Sequence, residues 1–127
     1  MTEAMGRVLV VDDDAQIRDV VALALLDEGY EVVTAANGAI ALERAVEYPP
    51  HLILLDMRMP VLDGWRFAAA YRAQTAHPAP IVVMTAAQDA RRWAAEIAAA
   101  GCLPKPFDLG HLLDLVAAHA HPNRQAA

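Results

Sequence analysis

An α/β fold built on a single doubly wound parallel sheet is predicted by three features of the sequence. Short apolar runs alternate five times with stretches of helical periodicity, the signature of a parallel sheet with helices on both faces. The third and fourth runs, Leu52 to Leu55 and Ile81 to Met84, are continuously apolar, as strands buried on both faces require. At 127 residues the chain is one domain's worth, long enough to bury a core and too short for two.

The elements follow in order. Arg7 to Val11 is a β-branched strand that stops at Asp12-Asp13-Asp14. Ile17, Val20, Val21, Ala24 and Leu25 recur at helical spacing behind it, with Asp13 or Asp14 as N-cap and Gly29 as the left-handed stop. Glu31 to Thr34 is shorter and more polar, hence an edge strand, and the helix after Asn37-Gly38 turns Leu42, Ala45 and Val46 inward until Pro49-Pro50 ends it. After the third strand, Asp63 caps a helix whose Gly64, Phe67, Ala68 and Tyr71 share a face. The fourth strand ends in Thr85 and the small Ala86 and Ala87, and Asp89 is expected to cap a helix lined by Ala90, Trp93, Ala94, Ile97 and Ala98. Cys102-Leu103-Pro104 makes a brief strand, whose proline suits only an edge or an end, leading to Lys105-Pro106. The fifth helix starts at Asp108, turns Leu109, Leu112, Leu113 and Val116 inward, and frays from His119 to Ala127. The expected boundaries are an N-terminal tail at 1–6, one domain at 7–119 and a C-terminal tail at 120–127.

Composition narrows the function classes. A hydrophobic fraction of 57% with 20% charged residues argues against disorder. The formal charge of −6 works against adhesion to nucleic acid or anionic lipid, which need clustered Lys and Arg. Cys102 alone cannot form an internal disulfide and suits a reducing compartment. Met1 to Gly6 lacks the basic and apolar regions of a secretion signal, so the cytoplasm is expected. The longest apolar run, Val20 to Leu26, is far short of the roughly 20 residues of a membrane helix.

In open sheets of this kind the functional crevice lies beyond the carboxyl ends of the strands, and there the chain places its unusual polar residues: Asp12 and Asp13, Asp56, Thr85 and Lys105. Asp56 is the most telling. A carboxylate at the end of a fully apolar strand costs several kcal/mol unless cations or donors meet it, on the order expected for a buried charge. Taken singly, Asp12 to Asp14 can be only a helix cap, Thr85 only a β-former and Lys105 only a solvated charge. Their joint placement at strand ends is what such readings do not predict.

From about Arg7 to Val116 the chain resembles the receiver domain of response regulators in two-component signalling, the chemotaxis-regulator type included. The motifs are Val-Asp-Asp at 11 to 13, Leu-Leu-Asp-Met-Arg-Met-Pro at 54 to 60, Asp63-Gly64, Met84-Thr85-Ala86 and Lys105-Pro106-Phe107. The resemblance implies a flavodoxin-like (βα)5 domain with strand order 2-1-3-4-5. It also implies a phosphoacceptor switch, not an enzyme acting on other molecules: Asp56 takes a phosphoryl group from a phosphohistidine on a sensor kinase or histidine phosphotransfer protein. Three carboxylates at one rim repel each other and call for a hard cation. Mg2+ suits few carboxylates, several waters and phosphate oxygens, with Asp13 and Asp56 as direct ligands and Asp12 acting mainly through water. The family implies the Arg58 backbone carbonyl as a further ligand. Lys105 and Thr85 are then expected to meet phosphoryl oxygens, with the backbone N–H of Ala86 beside the small Ala87, and the family implies a cis bond before Pro106.

Two departures stand out. Three positions before the lysine the family usually carries an aromatic or other sizeable residue, and here that position is Cys102. The interval from Thr85 to Lys105 is about two residues shorter than the family's. Input chemistry is therefore expected to be intact, with output through the fourth helix, fifth strand and fifth helix altered, phosphorylation repositioning the Thr85 to Asp89 loop and the fourth helix without an aromatic gate. Arg58 is expected to hinder water at the acyl phosphate. Two other classes compete: a constitutive binding module, and an aspartate-nucleophile phosphatase of haloacid-dehalogenase type starting at Asp12-Asp13-Asp14. Against the latter, Gln16 stands where that pattern wants Thr or Val. No DNA-binding or catalytic output motif follows Val116, so a complete chain is expected to act through protein contacts, and an excised one through a linked output domain.

Overall fold

The computed structural model of the chain describes residues 5–122. Ten elements alternate strictly: β1 (Arg7–Val11), α1 (Ala15–Asp27), β2 (Glu31–Ala35), α2 (Gly38–Glu47), β3 (Leu52–Asp56), α3 (Gly64–Gln74), β4 (Ile81–Ala86), α4 (Ala87–Glu96), β5 (Gly101–Lys105) and α5 (Leu109–His119). The strands form one sheet in the order β2-β1-β3-β4-β5, with every neighbouring pair parallel. The doubly wound fold expected from the alternation is therefore the fold observed.

Period-two alternation within the strands divides the core into two layers. Leu9, Val11, Ile53, Leu55, Ile81 and Val83 face one side, with Phe67, Ala68 and Tyr71 of α3 and Trp93, Ala94 and Ile97 packed on them. Val8, Val10, Leu52, Leu54, Val82, Met84 and Leu103 face the other, against Val21 and Leu25 of α1 and Leu112 and Val116 of α5. The four apolar residues of β3 have no exposed surface, and each contributes on the order of 2 kcal/mol by leaving water. β2 and β5 are the edges, and only an edge readily tolerates Pro104, which has no N–H for a ladder.

The helices bury narrower stripes than the sequence suggests. Val20, Val46 and Leu109, expected inward, are 51%, 68% and 44% exposed. α1 turns Val21 and Leu25 to the sheet, so Val20, one residue or about 100° away around the helix, faces out. Asp89 is not the cap of α4: β4 passes directly into α4 at Ala87, Ala86 holds the N-cap position without a side-chain bond, and Asp89 sits in the first turn. There its charge faces the positive helix end and its Oδ1 accepts from Arg92 Nη2 at 2.6 Å. Thr85 to Asp89 is thus the end of a strand and the start of a helix, not a loop. Ala98 lies beyond α4 with φ 50°. Of the expected tails, residues 1–4 and 123–127 lie outside the described residues. Ala120 is only 4% exposed and packs with the α1 and α5 layer. Among the described residues no helix is long and apolar enough to cross a membrane.

Candidate functional site

Parallel pairing brings all five carboxyl ends to one rim, and register decides which residues meet there. Val11 pairs with Leu55, so the next residues, Asp12 and Asp56, emerge side by side where the strand order reverses. Asp56 pairs with Met84 and Ala86 with Lys105, which extends the same rim across β4 and β5.

Asp12 has no exposed surface and is fully partnered. Its Oδ1 accepts the Asp14 N–H at 2.9 Å and its Oδ2 accepts from Lys105 Nζ at 2.7 Å, while its carbonyl accepts from Arg18 Nη1 at 2.7 Å. Asp13 is exposed at the rim. Of the two residues expected to cap α1, Asp14 does so, accepting from the Gln16 and Ile17 N–H groups. The three acids at this strand end thus divide into a buried partner of lysine, a rim carboxylate and a helix cap.

Asp56 is 7% exposed, and Lys105 Nζ stands 3.9 Å from its Oδ1, within ion-pair reach but too far for a hydrogen bond. Burial first, then repulsion from Asp12, and lastly the charge of Asp13 and a hydrogen bond with it, push the Asp56 carboxyl from 3.8 up to about 7, against the opposing pull of Lys105. One ammonium is therefore set against three acids. Ligand oxygens of Asp12, Asp13 and Asp56 all lie within 4.8 Å of one another, an all-oxygen set suited to a small hard cation. The residues present fit such an ion on charge and on donor type.

Thr85 closes the rim from β4, 5% exposed, while Ala86 and Ala87 beyond it are exposed. The Lys105-Pro106 bond is cis. Cys102 lies on β5 opposite Val83 and is half-buried against the layer that holds Trp93 and Ile97. A cleft of about 530 Å3 beside the rim is lined largely by Ile17, Val20, Pro106, Phe107 and Leu109, next to Lys105.

The loop after β3 is held tightly. The Gly64 N–H donates to the Met57 carbonyl at 2.8 Å, and a Cβ at Gly64 would come within 2.7 Å of Met57 Cα and 2.9 Å of the Asp56 carbonyl oxygen. Gly38 on α2 is similarly close, its N–H donating to the Leu62 carbonyl at 3.1 Å. Between them Val61, 77% exposed, adopts φ 73°, a strained conformation for a β-branched residue.

One grouping has no counterpart in the sequence reading, which placed Trp93 in the core. Trp93 is indeed 6% exposed, yet the Arg58 guanidinium carbon lies 5.1 Å from its ring centroid and that of Arg92 at 5.9 Å. Trp65 of α3 meets the same indole edge-on at 4.9 Å, and its Nε1 donates to Glu96 Oε1 at 2.8 Å. Helical spacing could find the buried side of Trp93 but carried no signal for a partner 35 positions earlier in the chain.

The chain matches the family described as response regulator receiver domain over residues 8–117. The transcriptional regulatory protein PrrA of Mycobacterium bovis is 42% identical over 114 residues, covering 88% of this chain and 48% of PrrA. The DNA-binding transcriptional regulator NtrC of Escherichia coli is 40% identical over 114 residues, covering 87% of this chain and 24% of NtrC. The chain thus spans about half of one relative and a quarter of the other. Among solved structures, the chemotaxis protein CheY4 of Vibrio cholerae superposes with a TM-score of 0.81 at 37% identity, covering 91% of this chain and 99% of CheY4. NtrX of Brucella abortus in complex with ATP gives a TM-score of 0.82 at 30% identity, covering 90% of this chain and 26% of NtrX.

Proposed function

The chain belongs to the response regulator receiver family of two-component signalling, and on that premise we propose that Asp56 is its phosphoacceptor. The observation that carries the proposal is the placement of Asp56 at the end of a fully buried strand, its carboxyl pushed up to about 7 among two other acids, with one ammonium within 3.9 Å. So strained an arrangement of charge is poorly suited to holding a fold together and well suited to receiving a phosphoryl group.

In the proposed transfer an Asp56 oxygen forms a bond to phosphorus as the phosphorus–nitrogen bond of a donor phosphohistidine breaks, and the imidazole leaves with the electron pair and is protonated. The donor is a sensor histidine kinase or a histidine phosphotransfer protein in the cytoplasm. Lys105 and the Thr85 hydroxyl meet phosphoryl oxygens, and the Ala86 N–H adds a backbone donor. Asp13, Asp56 and the Arg58 backbone carbonyl would hold Mg2+, with Asp12 acting through water. The ion, when bound, offsets the crowded negative charge and so makes the ionised, nucleophilic form of Asp56 available at neutral pH. Catalysis is confined to the chain's own phosphorylation and dephosphorylation. Residues 7–119 form the receiver unit, and output passes through α4, β5 and α5 to a protein target or a linked output domain.

Incubation with Mg2+ and acetyl phosphate, followed by mass spectrometric mapping, tests this. An acyl phosphate on Asp56 is expected; label on Asp12 would favour a phosphatase-type nucleophile, and no label would overturn the reading. The half-buried Cys102 favours one second reading, a receiver that binds its partner regardless of phosphate. Partner affinity that stays the same with and without the acyl phosphate would select it.

A further inference from the structure

We infer that Trp93 is the positioning residue that couples the phosphoacceptor loop to α4, and that the Arg58 guanidinium is the group released from it on phosphorylation. This rests on the reading of Asp56 as phosphoacceptor. Three elements meet on the Trp93 indole: the loop after β3 through Arg58 at 5.1 Å, α3 through the edge of Trp65 at 4.9 Å, and α4, which carries the indole. Trp93 also packs in the same layer as Cys102, the β5 position too small to act as an aromatic gate. The aromatic bulk on this side of the sheet therefore belongs to the helices α3 and α4 and not to β5.

Charge sets the direction of the change. Arg58 is exposed and follows Asp56 by two residues, so a phosphoryl group on Asp56 puts new anionic oxygens within the range of a long arginine side chain. A charge-assisted hydrogen bond from a guanidinium to phosphoryl oxygen outweighs a cation–π contact made by an exposed guanidinium on a largely buried ring. Arg92, by contrast, is paired on its own helix, its Nη2 donating to Asp89 Oδ1 at 2.6 Å. Phosphorylation thus draws Arg58 off the indole and removes the cation–π link between the loop and α4. The far end of α4 stays fastened, because the Arg72 guanidinium of α3 donates to the Ile97 and Ala98 carbonyls. The displaced part is the segment from Ala87 to Trp93.

Two measurements on the full chain test the inference. In a Trp65→Phe variant, Trp93 is the only tryptophan, and its emission is expected to shift when Mg2+ and acetyl phosphate put an acyl phosphate on Asp56. Backbone amide shifts on loading are expected to reach Ala87 to Trp93 in the wild type, to stop at Ala86 in Trp93→Leu, and to be partly restored in Trp93→Phe, which keeps a ring face. An acyl phosphate on Asp56 with unchanged Trp93 emission overturns the inference and leaves the functional reading intact. Amide shifts that spread through α4 equally in Trp93→Leu also overturn it. Absence of acyl phosphate on Asp56 overturns both.

Discussion

The two ends of one parallel sheet carry polar clusters of similar chemistry and opposite energetics. At the amino end Arg7 Nε bonds Glu31 Oε2 at 2.9 Å and its Nη1 donates to the Pro49 carbonyl at 3.2 Å, while the Arg7 N–H donates to His51 Nδ1 at 2.9 Å. Burial, and then the Arg7 charge, hold the His51 imidazole below its usual range, which keeps it neutral and able to accept that bond. Each charge there has an opposite neighbour and water at hand. At the carboxyl end three acids face one ammonium, with Asp12 and Asp56 taken almost wholly out of water. A cluster balanced in charge closes the fold at little cost and offers no chemistry, whereas an unbalanced one is held in place by the strands and gains from any positive partner.

Substitutions should separate the two ends, most sharply at the proposed acceptor, Asp56. Asp56→Asn is expected to abolish acyl phosphate formation from acetyl phosphate and Mg2+, read by mass spectrometry; retained labelling would move the site elsewhere. Lys105→Met, which leaves Asp12 and Asp56 without their ammonium, is expected to slow phosphoryl uptake by about 100- to 1,000-fold, the scale typical of losing one donor to developing charge.

The next expectation concerns pH. Because the folded Asp56 carboxyl titrates near 7 instead of 3.8, the folded state holds its proton more firmly than the unfolded chain. Its contribution is fully present below about pH 4 and is lost as pH rises toward and through 7. In metal-free protein this gives a fall of at most about 1.4 kcal/mol per pH unit across that window. Denaturant melts should show the slope in the wild type, and it should disappear in Asp56→Asn, which removes the buried charge. Saturating Mg2+ should flatten it as well. At the amino end, Glu31→Ala is expected to cost less than about 1 kcal/mol, as exposed pairs do, and to leave phosphoryl uptake unchanged. An effect of Glu31→Ala on uptake would break the contrast between the two ends.

What could be read in the sequence was whatever depends on local pattern. Short, continuously apolar runs located β1, β3 and β4, and a polar residue at the end of such a strand marked Asp12, Asp56 and Thr85, because burial makes such residues costly without a purpose. The parallel order then placed them together. Pairwise choice among the charges was not readable: that Lys105 bonds Asp12 at 2.7 Å and stands 3.9 Å from Asp56 depends on the register of β5 and the path of its side chain. Nor were helix faces fixed by periodicity alone, since the width of the buried stripe depends on the neighbours, leaving Val20, Val46 and Leu109 in solvent. Asp89 has the residue type of a cap, but β4 runs on into α4 and pre-empts the position.

The missing side chain of Gly64 has a practical consequence for anyone who wishes to rebuild this domain. With a methyl at that position already within 2.7 Å of Met57 and 2.9 Å of the Asp56 carbonyl, the start of α3 and the backbone of Asp56 can be transplanted only as one cassette that retains the glycine. Val61, 77% exposed at φ 73°, is the opposite case: a tip where a reporter peptide beginning and ending in glycine could be inserted and relieve strain instead of adding it.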